Sequence, residues 1–170
     1  MKLESFVHDV LDFPKPGIVF KDITPLLANP EAMRHVIDAM STFAREQRAE
    51  AIVAIEARGF WFGAPLAVAL GLPFVPVRKP GKLPRAAIRE SYALEYGTDA
   101  LEMHEGALAR GARTLIVDDV LATGGTAAAV VALLRRANAE PVGATFLIEL
   151  SFLAGASKLG GLPTRALIRY

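Results

Sequence analysis

The chain contains no cysteine, which excludes disulfides, thiolate metal sites and a cysteine nucleophile. It has little net charge: 19 basic against 18 acidic side chains leave +1 at neutral pH. The molecule as a whole therefore offers no electrostatic attraction to nucleic acid or an acidic partner. Side-chain amides are confined to Asn29, Gln47 and Asn138, a scarcity shared by thermophile proteins and by products of Ala-rich genomes. Residues 1–9 include Glu4 and lack an apolar core, which is not the pattern of a secretory signal. One long stretch, residues 60–77, lacks charge and is long enough to suggest a membrane span. Pro65, Gly71, Pro73 and Pro76 interrupt it. It reads instead as a buried helix, a Gly-Leu-Pro turn and a buried strand.

The length of 170 residues fits one domain with a sizeable core. Leu3, Phe6, Val7, Val10 and Leu11 recur at helical spacing. Residues 13–30 hold four prolines and suit an ordered irregular loop. Asn29-Pro30-Glu31 is a helix start, with Asn as cap and Pro at the first position. Met33, Val36, Ile37, Met40 and Ala44 then mark one apolar face. Apolar runs at 51–55, 74–77, 114–117 and 142–150 suit strands buried on both faces of a parallel sheet. Helices near 63–70 and 126–138 lie between them. The expected fold is α/β, a mostly parallel central sheet with helices on both faces. Residues 91–96 and 101–104 flank Gly97-Thr98-Asp99 and suggest a hairpin over that sheet.

The strongest signal runs from Thr114 to Thr126. A buried strand leads to Asp118 and Asp119, then to Ala122-Thr123-Gly124-Gly125-Thr126, then to an Ala/Val/Leu-rich helix. Ligands of parallel α/β sheets bind beyond the carboxyl ends of the strands. The glycines let backbone approach an anion, the threonines add hydroxyl donors, and the helix N-terminus adds partial positive charge. A phosphate monoester fits residues 122–126. The loop lacks the Gly-Lys-Ser/Thr ending of a triphosphate-binding loop and the spacing of a dinucleotide fingerprint. Asp118 and Asp119 would repel a phosphate unless they serve ribose hydroxyls or a Mg²⁺ bound with the ligand. Taken alone, the pair also reads as an ordinary strand end.

This run resembles the phosphoribosyl-pyrophosphate motif of type I phosphoribosyltransferases, which implies their core sheet and a hood over the base. Three further segments resemble the adenine-specific branch of that family. They are residues 13–25 (Phe-Pro-Lys-Pro-Gly-Ile-Val-Phe-Lys-Asp-Ile-Thr-Pro), residues 55–60 (Ile-Glu-Ala-Arg-Gly-Phe), and residues 78–84 with 90–97. Order and spacing match over nearly the whole chain. The resemblance implies one phosphoribosyltransferase domain over 1–170, with a hood at about 1–30 and a catalytic lid and hairpin at about 78–104. It implies transfer of the phosphoribosyl group of 5-phosphoribosyl-1-pyrophosphate to adenine, giving AMP and pyrophosphate, with Mg²⁺ held mainly by substrate. A cytoplasmic homodimer without nucleic-acid or membrane partners is the implied setting. Phe60-Trp61-Phe62 is bulkier than the family pattern, and residues 152–158 carry Gly-Ala-Ser where a basic residue often stands.

The site residues follow. Asp118 and Asp119 are expected on ribose, and Ala122, Thr123, Gly124, Gly125 and Thr126 on the 5′-phosphate. Backbone groups of Val19, Phe20 and Lys21 are expected on adenine. Arg58, alone, reads as a surface cation; beside a strand end in this fold it reads as a pyrophosphate clamp. The resemblance adds a cis Glu56–Ala57 peptide. Arg78, Lys79, Lys82, Arg85 and Arg89 occur in one stretch without an acid. That stretch is a solvated basic loop, or a lid bringing Arg78, Lys79 and Lys82 to pyrophosphate. It lacks the interleaved aromatics of a nucleic-acid stacking platform. By alternation Glu95 is an outward polar residue; by resemblance it is the catalytic carboxylate that handles the purine proton. His8, His35 and His104 match no family site. Two rivals are weighed. A 6-oxopurine enzyme needs a donor where adenine needs an acceptor, and no lysine stands in a segment resembling that pocket. A transcriptional sensor of phosphoribosyl pyrophosphate would need an added DNA-binding segment.

Overall fold

The computed structural model describes residues 1–93 and 98–170. Strands β3 (Ala51–Ile55), β4 (Phe74–Val77), β7 (Arg113–Leu121), β8 (Glu140–Glu149) and β9 (Thr164–Arg169) form one parallel sheet in the order β4-β3-β7-β8-β9. Alternate residues face opposite sides. Ile52 and Ala54 of β3 pack with helices α2 (Pro30–Glu46) and α3 (Phe60–Leu70). Val53 and Ile55 face α4 (Gly125–Arg136) and the hairpin of β5 (Ala87–Ala93) and β6 (Thr98–His104), through Leu101 and Met103. The expected parallel sheet with helices on both faces is therefore present. The chain winds outward from β3 to β4, and the opposite way from β7 to β8 and β9. The switch point lies between β3 and β7, where ligands of such sheets bind.

The Asn29 side chain accepts hydrogen bonds from the N–H groups of Glu31 and Ala32 at 3.1 and 2.9 Å, as expected of the cap. Other expectations need correction. Residues 3–11 do not form one helix. A 3-10 turn at Leu3–Phe6 is followed by β1 (His8–Leu11), paired antiparallel with β2 (Val19–Asp22). Only Leu3 of that apolar series is buried, while Val10 and Leu11 are exposed. So short a helix is marginal by itself, and pairing with β2 satisfies the same backbone groups. Residues 13–30 are likewise less irregular than expected, holding β2 and a short helix α1 (Thr24–Leu27). Strand β7 runs past the acidic pair to Leu121 rather than ending in it. Strand β9 has no counterpart in the sequence reading. Arg165 and Arg169 break its apolar run, and it pairs only with β8. No helix among the described residues is long and apolar enough to cross a membrane.

Candidate active site

At the switch point a cavity of about 360 Å³ is lined by Val19, Phe20 and Lys21 of β2, Glu56, Ala57 and Arg58 after β3, Lys79 after β4, Tyr92 and Leu101 of the hairpin, and Asp118, Asp119, Ala122 and Thr126. A smaller pocket of about 80 Å³ adjoins it, lined by Asp118, residues 120–127 and Phe146. The two spaces share Asp118, Val120, Ala122 and Thr126. Among the described residues, those expected on adenine, ribose and the 5′-phosphate, with Arg58 and Lys79, line these two spaces, whereas Arg78 and Lys82 line neither.

The acids on β7 are held tightly. Asp119 is buried and its Oδ2 lies 2.6 Å from Arg58 Nε. Asp118 Oδ1 accepts the Asp119 N–H at 2.9 Å. Burial pushes the Asp118 carboxyl well above its ordinary range, and the neighbouring Asp119 charge pushes it further. Burial also raises Asp119, against the pull of Arg58. Such a pair gains from hydroxyl donors or a cation. No group of three His, Cys, Asp or Glu side chains among the described residues could hold a metal. Asp118 and Asp119 are the acids that would lie beside a Mg²⁺ held mainly by substrate. The Arg58 guanidinium also lies 5.4 Å from the Phe20 ring centre, and so borders the β2 side of the cavity.

Residues 122–126 turn from β7 into α4. Gly124 has φ +78, which a residue with a Cβ rarely adopts. The first N–H groups of α4 have no intrahelical acceptor, and Gly125, Thr126 and Ala127 of that first turn line the smaller pocket. Behind the loop lies Gly155, which opens a 3-10 turn at Gly155–Leu159. A Cβ on Gly155 would stand 2.2 Å from the Ala122 carbonyl oxygen, and one on Gly124 2.2 Å from the Gly155 oxygen. Sequence reasoning missed Gly155, whose Gly-Ala-Ser surroundings had registered only as a departure.

The basic segment is paired rather than open. Arg78 and Lys82 both turn to the Glu56 carboxylate, at 3.2 and 2.6 Å, while Lys79 meets Asp99 and the Tyr92 hydroxyl. Thr126 Oγ1 lies 3.4 Å from that hydroxyl, linking the phosphate loop to the hairpin. Burial acts to raise the Glu56 carboxyl, but hydrogen bonds from Lys82, Arg78 and the Lys79 N–H outweigh it and bring it to about 2. Glu56, Asp99 and Tyr92 had no role in the sequence reading. The available signal was an acid at a strand end within a basic constellation. The Glu56–Ala57 peptide is cis, as the resemblance implied. Glu95 lies outside the described residues. His8 and His35 are exposed and His104 half-buried, all outside the cavity lining.

Comparison with known proteins adds to this geometry. The model of the Phosphoribosyl transferase domain matches residues 22–157. The chain is 56% identical to an adenine phosphoribosyltransferase of Acaryochloris marina (strain MBIC 11017) over 170 residues, covering 100% of both. The adenine phosphoribosyltransferase structure from Thermoanaerobacter pseudethanolicus ATCC 33223 gives a TM-score of 0.96 at 46% identity, covering 99% of this chain and 98% of that one. The Saccharomyces cerevisiae protein, complexed with D-2,5-dideoxy-2,5-imino-altritol 1,6-bisphosphate and adenine, gives 0.93 at 41% identity, covering 98% and 96%.

Proposed function

The chain belongs to the adenine phosphoribosyltransferase family and makes AMP and pyrophosphate from adenine and 5-phosphoribosyl-1-pyrophosphate, and we propose that it does so at the 360 Å³ cavity between β3 and β7. The observation that carries this reading is the meeting of β2, the Arg58 loop, the acidic pair and the phosphate loop at one switch point. Residues 122–126 hold the 5′-phosphate and thereby fix the anomeric carbon. Asp118 and Asp119 accept hydrogen bonds from the ribose hydroxyls. Mg²⁺ fits beside them, held mainly by substrate, and when bound it neutralises charge on the diphosphate. Backbone groups of Val19, Phe20 and Lys21 meet the adenine amino group. Arg58, Arg78, Lys79 and Lys82 meet pyrophosphate, which gains negative charge as the bond from the anomeric carbon to its oxygen breaks. Cleavage runs ahead of attack by the adenine nitrogen, through an oxocarbenium-like state. Glu95 takes the proton that the ring nitrogen loses.

Residues 1–30 act as hood and 78–104 as lid of one domain over 1–170. A homodimer is supported by the outer face of α3, where Trp61 is 43% and Val68 83% exposed. A cytoplasmic setting follows from the substrate, a polyanion that does not cross membranes unaided. Product formation from adenine, hypoxanthine, guanine and xanthine tests base choice. Adenine is expected to lead by roughly 10⁴–10⁵, because a site built for one hydrogen-bond polarity leaves buried groups unpaired with the other. A preference within tenfold would defeat the adenine assignment.

A further inference from the structure

Glu56 stands at the end of β3 with its side chain 8% exposed. Its carboxylate accepts from Arg78 Nε at 3.3 Å and Nη2 at 3.2 Å, from the Lys79 N–H at 2.9 Å and from Lys82 Nζ at 2.6 Å. Every one of these donors comes from a single short segment after β4. Its backbone is tied on the other side, where Arg78 and Glu102 exchange hydrogen bonds at 2.9 and 2.7 Å. We propose that Glu56 is a positioning residue for the pyrophosphate half of the site, holding Arg78 and Lys82 at a fixed spacing before ligand arrives. The proposal rests on the reading above that these cations meet pyrophosphate. Two neighbouring cations repel each other unless an anion lies between them. One carboxylate shared by two cations leaves the group with net positive charge. An ammonium has three donors and a guanidinium five, so both keep donors for a ligand. Lys82 and Arg78 stay 48% and 34% exposed, and Arg78 Nη1 also donates to the Lys82 carbonyl at 3.2 Å. An arrangement fixed before binding does not lose that freedom on binding. The alternative is that Glu56 competes with pyrophosphate for the same cations, which reverses the sign of its removal.

Calorimetric titration of the full-length protein with inorganic pyrophosphate plus Mg²⁺, and separately with AMP, tests the proposal. Lys82→Ala examines the underlying reading: if it binds pyrophosphate as tightly as the parent, the cations have been misassigned. With that arm weakened, Glu56→Gln isolates the new inference. It is expected to weaken pyrophosphate about 10- to 100-fold, the value of lost charge-assisted bonds. AMP affinity should stay within twofold, and the KM for phosphoribosyl pyrophosphate should rise more than kcat falls. Unchanged or tighter pyrophosphate binding overturns the proposal, as does parallel loss of AMP. Should the Gln variant not fold, Glu56→Asp retracts the charge by one methylene. Weaker pyrophosphate with AMP retained then supports positioning, and unchanged pyrophosphate overturns it.

Discussion

Gly155→Ala concentrates a single steric demand on the phosphate loop. The new Cβ would lie 2.2 Å from the Ala122 oxygen and 2.9 Å from the Gly124 nitrogen, whereas ordinary contact begins at 3.4 Å. The neighbours are backbone atoms, so relief requires the loop or the Gly155–Leu159 turn to shift by about 1 Å. Overpacking of this kind costs about 1–3 kcal/mol, and in a domain of this size lowers Tm by about 2–12 °C. The functional loss should exceed what that small destabilisation implies. On the proposed reading the loop holds the 5′-phosphate and, through it, the anomeric carbon. A misplacement of about 1 Å is worth about 10² in turnover. AMP affinity should fall about 10- to 100-fold as charge-assisted bonds to the phosphate lengthen. Pyrophosphate, proposed to meet the Arg58 and 78–82 segments, should be nearly unaffected. Titration with AMP and pyrophosphate, beside thermal unfolding, separates these effects. A folded Gly155→Ala protein that binds AMP within twofold of the parent would refute the view that Gly155 shapes the phosphate loop.

Changing Asp118 and Asp119 together to Asn should lower turnover by about 10² or more while leaving ligand-free Tm at pH 7 equal or higher. A carboxyl whose folded pKa is raised by burial stabilises the fold below its unfolded value and loses that contribution as pH rises through the folded value; a marked fall in Tm with turnover retained would return the pair to a structural role. Glu56 has the opposite sign: its carboxyl drops from 4.5 to about 2, so its stabilisation is full above about 4.5 and fades as pH falls toward 2. The Tm gap between parent and Glu56→Gln should accordingly be constant from pH 5 to 8 and close in acid, and a gap that widened in acid would contradict the pairing. Glu95→Gln should leave phosphoribosyl-pyrophosphate binding nearly intact and lower turnover by about 10²–10⁴; full activity would remove Glu95 from the chemistry.

What could be read directly from the chain was whatever is written in contiguous residues. The β7–loop–α4 run carries its chemistry in a single stretch, so its strand, acids, glycines and helix start were legible together. The Asn29 cap and the buried runs of β3 and β8 were legible for the same reason, whereas β4, expected to be buried on both faces, is an edge strand that buries only Val75 and Val77. Local periodicity misled at residues 3–11, where helical spacing coincides with a strand whose partner, β2, lies beyond a Pro/Gly turn. It was silent at β9, an edge strand whose arginines pair and stack elsewhere, Arg165 meeting Glu46 at 2.8 Å and the Phe43 ring at 4.5 Å.

The sequence by itself therefore determined the sheet class, the glycine-containing loop after the acidic pair, and the presence of a basic segment. Tertiary structure alone decided what those parts touch. It set Gly155 against Ala122 and Gly124. It brought the Arg78 and Lys82 side chains to a carboxylate 22 and 26 residues earlier, and the Lys79 side chain to Asp99 20 residues later. The physical reason lies in range. Helix caps, buried runs and glycine loops depend on interactions within a few residues, which leave a pattern in the chain. The carboxylate a cation finds, and the backbone a glycine must admit, depend on how β3, β4, β7 and the hairpin converge at the switch point. That convergence leaves no local pattern to read.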